Sequence, residues 1–377
     1  MPSRLENRVN LESYRTFGRS GLVVSPLALG AMTFGAQRWG SDEAASRAVF
    51  EAYVEAGGNF VDTADVYSSG RSEEMLGRFI ADGKLRDRIV IATKAGFARE
   101  DGYPHAGGNG AKNIHTALEM SLRRLGMECV DLFWLHAWDM VTPAEEALQT
   151  LASLVRAGKI RYFGFSNAPA WYVAKMATLA AVHGLPAPIG LQHQYSLIDR
   201  SIEREHVPAA REFGLGVQPW SPLGGGFLAG KYRLSDVEGR EAMPPGLPTA
   251  SSEEGSNGAS DGRLNGPNPF GDTLFTDRNW AILDALRSVA SEAQAPPARV
   301  ALAWTLARPG VSNLLIGASR PSQLADNIAA LHLELDPKHT RRLDEASAQE
   351  PGNPYMIFTP FVNRMIFGGS TVEAWRP

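Results

Sequence analysis

The chain has one cysteine, Cys129, in 377 residues. No intrachain disulfide can form, which excludes a disulfide-stapled scaffold and fits a reducing compartment such as the cytoplasm. Set in Glu128-Cys129-Val130, the thiol reads as a small core residue rather than a reactive one. Positive charge is not in excess either: 37 Lys and Arg face 41 Asp and Glu, a net charge of −4. That balance offers nothing to nucleic acid or to an anionic membrane surface. No run of 18 apolar residues exists, so no membrane-spanning helix is expected. Met1 to Asn10 is charged and lacks the apolar core of a secretory signal. No Gly-x-Gly-x-x-Gly follows a strand-like stretch, which argues against a Rossmann domain. No set of residues is assigned to a metal.

What is present is alternation. Hydrophobic residues make up 44 % of the chain, ordinary for an enzyme-sized core. At roughly 100–200 residues per domain the length suggests two domains, unless the chain is an α/β barrel, which runs to about 250 or more as one. Tyr14 to Phe17 and Leu22 to Val24 read as a hairpin about Gly18-Arg19-Ser20-Gly21. Eight short apolar runs follow, separated by stretches of helical period. They are Leu27 to Gly30, Asn59 to Asp62, Arg88 to Thr93, Val130 to Leu135, Ile160 to Phe165, Ile189 to Leu191, Leu215 to Gln218 and Val311 to Ile316. Eight strand–helix units predict an α/β fold, a (β/α)8 TIM barrel in one domain, with its core at about 14–345. Two stretches stand outside the pattern. Residues 235–276, rich in Gly, Pro, Ser and Asn, predict a lid or mobile insertion after the seventh strand. The tail at 348–377 carries Tyr355, Phe358, Phe361, Met365, Phe367 and Trp375, and so is expected to dock on something.

Polar residues recur at the ends of these runs. Asp62 closes the second strand, Lys94 the third, His136 the fourth, Ser166 and Asn167 the fifth and Gln192 the sixth; Ser221 follows the seventh and Gly317 the eighth. In a closed parallel barrel all of these lie on one rim, where such folds keep their chemistry. Five residues after Asp62 comes Tyr67, in a turn-like loop. A free phenol titrates near ~10. A neighbouring ammonium such as Lys94, held by Asp62, favours the phenolate and makes Tyr67 a better acid toward a carbonyl oxygen. His136 offers a second hydrogen bond to that oxygen. None of the four supplies a hydride, so a cofactor must.

Later units carry the groups a dinucleotide needs. Ser166, Asn167 and Gln192 suit a flat carboxamide, and Tyr195 a stacking ring. Ser221, Pro222, Leu223, Gly224, Gly225 and Gly226 form a small-residue loop that a pyrophosphate could approach. Gly317, Ala318, Ser319 and Arg320 precede a helix start, and the last two suit a 2′-phosphate. These features favour NADPH, with NADH as the alternative.

Together these motifs resemble the aldo-keto reductases, of the long-chain bacterial and potassium-channel-β-like type. The resemblance rests on Asp62-Thr63-Ala64-Asp65-Val66-Tyr67, Thr93-Lys94, Asp131 to His136, Gly164-Phe165-Ser166-Asn167, Gln192 to Leu197, Trp220 to Gly224 and Ile316 to Ser319, with Gln323, Asp326 and Asn327. It implies a (β/α)8 barrel, NADPH and reversible carbonyl reduction, with a tetrad at Asp62, Tyr67, Lys94 and His136. It places cofactor contacts at Met32, Gln37, Asp62, Ser166, Asn167, Gln192, Trp220 to Gly225, Lys231, Arg263, Gly317 to Gln323, Asp326 and Asn327. Met32 stands where several relatives carry tryptophan, and Gln194 where glutamate is usual; both bear on substrate range.

The expected partner is a small carbonyl compound, with self-association left open. Phe34, Trp39, Phe97 and Trp138 are candidates for its apolar pocket. Two rival readings compete with the reductase. One is a lyase or aldolase using Lys94 as a Schiff base; the other is an NADPH-binding sensor or regulatory subunit with slow turnover.

Overall fold

The computed structural model describes residues 9–36, 40–236, 264 and 273–373. A hairpin of β1 (Arg15–Thr16) and β2 (Val23–Val24) precedes β3 (Leu27–Gly30), α1 (Glu43–Glu55), β4 (Phe60–Asp62), α2 (Arg71–Asp82), β5 (Val90–Ala95), α3 (Ala111–Leu125) and β6 (Val130–Leu135). Then come α4 (Ala144–Arg156), β7 (Ile160–Ser166), α5 (Ala170–Val182), β8 (Gly190–Gln194), α6 (His206–Phe213) and β9 (Gly216–Trp220). The chain ends with α7 (Asp277–Glu292), α8 (Pro297–Leu306), β10 (Leu314–Ile316), α9 (Pro321–Ile328), α10 (Pro337–Ala346) and α11 (Pro360–Ile366). Strands β3 to β10 pair in parallel, in chain order, with β10 beside β3. The gap between β9 and β10 is crossed by a parallel bridge from Val217 to Val311 and by the Ser312 N–H donating to the Val217 carbonyl. The sheet is a (β/α)8 barrel.

Side chains alternate along each strand, so residues two apart share the interior. The lower interior layer is apolar. Ala28, Phe60, Ala92, Leu132 and Trp134 bury against Phe17, Leu22 and Val24 of the hairpin, which plugs that end. Phe17 meets the rings of Phe60 and Trp134 edge-on, each at 6.0 Å. Room for these rings comes from two glycines: a Cβ on Gly164 would fall 2.4 Å from Trp134, and one on Gly190 2.1 Å from Phe17. Two residues past Phe60, Ala92, Trp134, Gly164 and Gly190 stand Asp62, Lys94, His136, Ser166 and Gln192, and there the interior turns polar.

Local signals explain most element ends. Asp42 caps α1 by accepting from the Ala45 N–H at 2.8 Å. After a 3-10 turn at Ser201–Glu203, α6 begins at His206. Pro208 has no N–H to give and is tolerated only in a first turn, which sets that start. The eighth strand, expected from Val311, pairs regularly only from Leu314. The residues before it are tied to the barrel floor instead, where the Ser312 hydroxyl accepts from the Gly18 N–H at 3.1 Å.

The aromatic tail is largely open to solvent. Tyr355 bonds Glu205, but Met356, Phe358, Phe361, Met365 and Ile366 of the tail are all more than half exposed. The expected insertion at 235–276 falls largely outside the described residues. Within it Leu264 is fully buried, and its N–H donates to the Tyr232 hydroxyl at 3.0 Å. No helix among the described residues is long and apolar enough to cross a membrane.

Candidate active site

Strands β4 and β5 pair so that Asp62 lies level with Ala92, one inward step below Lys94. Both side chains are sealed: Lys94 is 0 % exposed and Asp62 1 %. The Lys94 ammonium is ion-paired with Asp62, donates to the Thr63 carbonyl at 2.8 Å, and reaches the Tyr67 hydroxyl at 3.3 Å. Tyr67 opens a 3-10 turn in which Ser68 and Ser69 adopt left-handed φ of 49° and 56°. That strained turn is held by the Ser68 hydroxyl donating to the Phe34 carbonyl at 2.9 Å. His136, just beyond β6, stands edge-on to Tyr67 with ring centres 5.8 Å apart. The four residues expected to form the tetrad are therefore brought together.

Their electrostatics follow from burial and from one another. Burial opposes the charge on Lys94, but Asp62 and Tyr67 outweigh it and raise its pKa, so the ammonium persists at neutral pH. Burial lifts the Asp62 carboxyl, with Lys94 and Gln192 opposing. His136 is held well below the ordinary imidazole value, by burial first and then by Lys94. It is a neutral imidazole at pH 7, with one N–H to give.

A second charged layer lies beneath this one and was not anticipated. Glu73 of α2, fully buried, accepts from the Thr93 hydroxyl at 2.5 Å and from Arg124 at 2.6 Å. Asp65 pairs with Arg99 at 3.2 Å, and Arg99 also donates to Asn113 at 2.8 Å. Glu73 lies in the first turn of α2, and the packing of α2 on α3 buries it.

The other side of the mouth is neutral. Asn167 (φ 49°) and Ser221 (φ 50°) hold left-handed backbones just past the ends of β7 and β9. Asn167 donates to the His136 carbonyl at 2.9 Å and to Ser166 at 3.0 Å, and accepts from the Trp220 indole at 3.2 Å. Gln192 donates to Asp62 at 2.9 Å and to Gln218 at 2.6 Å. Gly224, Gly225 and Gly226 have φ of 55°, 65° and 97°, conformations that glycine alone adopts cheaply. In the loop before α9, Gln323 accepts from both the N–H and the hydroxyl of Ser319, and Asn327 donates to the Gly317 carbonyl at 3.1 Å. Met32 lies in the half-buried loop after β3, and Lys231 is exposed beyond the glycine turn.

Two expected residues, Phe34 and Tyr195, are turned away from the site. Phe34 is fully buried, its ring 6.4 Å from Phe79, so it is core and lines no substrate pocket. Tyr195 is 1 % exposed, faces Trp304 and donates to Glu203 at 2.5 Å. It lies three residues past inward-facing Gln192, and that parity turns its ring out of the barrel, away from any cofactor. Asp326 is largely exposed, near Arg299. Phe97 does reach the site, 4.7 Å from His136, and Trp138 stands at the rim against Trp171, which the sequence had not flagged. Gln37, Trp39 and Arg263 lie outside the described residues.

The model of the Aldo/keto reductase family matches residues 26–348. An aryl-alcohol dehydrogenase of Pestalotiopsis microspora is 32 % identical over 88 % of this chain and 81 % of its own length. A putative voltage-gated potassium channel subunit beta of Schizosaccharomyces pombe is 33 % identical over 88 % of this chain and 92 % of its own. An aryl-alcohol dehydrogenase [NADP(+)] of Phanerodontia chrysosporium is 30 % identical over 90 % and 86 % respectively.

Proposed function

This chain belongs to the aldo/keto reductase family, and from that premise we propose that it reduces an aldehyde or ketone to the alcohol with NADPH, Tyr67 giving the proton. One observation carries the reading: a buried ammonium lies between the Asp62 carboxylate and the Tyr67 hydroxyl, 3.3 Å from the latter, at the mouth of a barrel. The neutral side of the mouth fits a dinucleotide. The Gln192 amide oxygen makes no hydrogen bond among the described residues, and the loop after β9 runs through three glycines of positive φ at 224–226. NADPH bound there supplies the hydride that no side chain can.

The residues of the chain do the rest. The Tyr67 and His136 hydrogen bonds orient the carbonyl oxygen and polarise its carbon. As the carbon accepts the hydride, the oxygen takes the Tyr67 proton, and the phenolate left behind is stabilised by Lys94. Solvent reprotonates Tyr67 once the alcohol leaves. His136, being neutral, does not compete for that proton. Ser319 and Arg320 suit a 2′-phosphate, and the NADP(+) in the name of the Phanerodontia relative supports that choice. Phe97 and Trp138 at the rim, with the aryl-alcohol names of two relatives, favour an aromatic carbonyl.

A Schiff-base role for Lys94 sits badly with an amine kept protonated by its partners. The Schizosaccharomyces relative favours a second reading, a nucleotide-binding regulatory subunit with slow turnover. One assay separates them. A carbonyl panel followed by NADPH absorbance, repeated with NADH, should give rapid turnover of aryl aldehydes with NADPH. Slow rates on every carbonyl despite tight NADPH binding would favour the regulatory reading. Tyr67→Phe should still bind NADPH but lose about 10²–10⁴ in kcat/KM; normal turnover in that variant would remove Tyr67 as the acid.

A further inference from the structure

A row of buried amides crosses the barrel mouth from Asp62. Gln192 sits opposite Gln218 in the β8–β9 register. Gln192 Nε2 spends one N–H on Asp62 and the other on Gln218 Oε1. Gln218 Nε2 donates in turn to Asn313 Oδ1 at 2.9 Å. Gln218 and Asn313 are both 0 % exposed. The polarity of the row is set at one end. A carboxylate held against an ammonium only accepts, so Gln192 must turn its nitrogen inward. Gln218 must then present oxygen to Gln192 and nitrogen to Asn313. At the far end Asn313 Nδ2 is buried without a partner among the described residues. Reversing Gln192 would set its oxygen against the carboxylate, and reversing Gln218 would set its nitrogen against that of Gln192.

We propose that Gln218 and Asn313 are positioning residues that lock the Gln192 amide with its oxygen, not its nitrogen, toward the nicotinamide subsite. The lock makes Gln192 an obligate acceptor, so the site selects a pyridine ring whose 3-substituent carries N–H donors. A carboxamide qualifies and an acetyl group does not. The inference rests on the NADPH reading above.

The test compares dissociation constants for NADPH and for the reduced 3-acetylpyridine analogue of NADP, by equilibrium titration of tryptophan fluorescence. The wild-type chain should prefer NADPH by about tenfold, the worth of one hydrogen bond. In Gln218→Met, which keeps the shape but loses the acceptor, the preference should shrink to about threefold or less. Asn313→Leu, which breaks the row further off and serves if the first variant does not fold, should shift the ratio in the same direction. Equal weakening of both dinucleotides with an unchanged ratio would mean that the row only supports the fold, and would overturn the proposal; so would a wild-type chain with no preference. A wild-type chain that shows the preference yet reduces no carbonyl would overturn the reductase reading and leave the lock standing.

Discussion

From β4 to β6 the mouth of the barrel is charged: Asp62 and Lys94 face inward, with Asp65, Glu73, Arg99 and Arg124 packed behind them. From β7 round to β10 the inward-facing residues are neutral hydrogen bonders, Ser166, Gln192, Gln218 and Asn313. The two sides ask for different things from a low-dielectric interior. Paired charges are costly to bury but act strongly on a proton between them. Neutral amides are cheap to bury once satisfied, and they fix direction rather than charge, which suits a flat, uncharged ring. A barrel lets both sides share one cavity, because all eight strand ends meet there.

The largest break in this comparison comes from unpairing the charged side. Lys94→Met leaves Asp62 buried and uncompensated, which should cost about 3–5 kcal/mol in denaturant unfolding and abolish measurable carbonyl reduction. Adding Asp62→Asn should restore most of the stability and none of the activity. If the double variant is no more stable than the single, the ion pair is not what holds that side together.

The barrel itself was legible, because eight apolar runs ending in polar residues allow few other topologies. Asp62, Lys94 and His136 were legible for the same reason, each standing at the end of its own strand, and Tyr67 was legible from the turn five residues after Asp62. What stayed hidden depends on distance across the fold. Gln218 and Asn313 are single amides 95 positions apart, joined only by the closing of the sheet. Glu73 and Arg124 look like ordinary helix charges until α2 and α3 pack. Phe34 and Tyr195 were misjudged because nearness to a motif says nothing of which way a ring turns. Strand parity settles Tyr195, and the packing of Phe34 against Phe79 settles the other.

A smaller effect should separate the two sides by pH. The Asp65 carboxyl is pushed up to about 6, first by burial and next by Glu73, with Arg99 opposing. The folded state thus holds this proton more tightly than the unfolded chain, whose value lies near ~3.9. The stability it contributes is complete below the unfolded value and is lost as pH rises through about 6. Asp65→Asn removes that loss. The variant should gain on the wild type by up to about 2–3 kcal/mol between pH 4 and pH 7. Unfolding curves at the two pH values check this, and a difference that does not change with pH would show that Asp65 carries its charge at no cost.

The smallest expected effect lies where the two sides meet. Asn167 ties the His136 carbonyl on the charged side to the Trp220 indole on the neutral side, and it does so from a left-handed backbone. Asn167→Gly keeps that backbone at little strain and removes only the side chain. If the neutral side serves binding and the charged side serves the proton, the KM for NADPH should rise by roughly fivefold to tenfold, the worth of about one hydrogen bond, while kcat stays within about twofold. A fall in kcat with KM unchanged would reverse the assignment. It would mean that Asn167 acts through His136 on the carbonyl, and that the boundary between the two sides runs beyond β7 rather than at it.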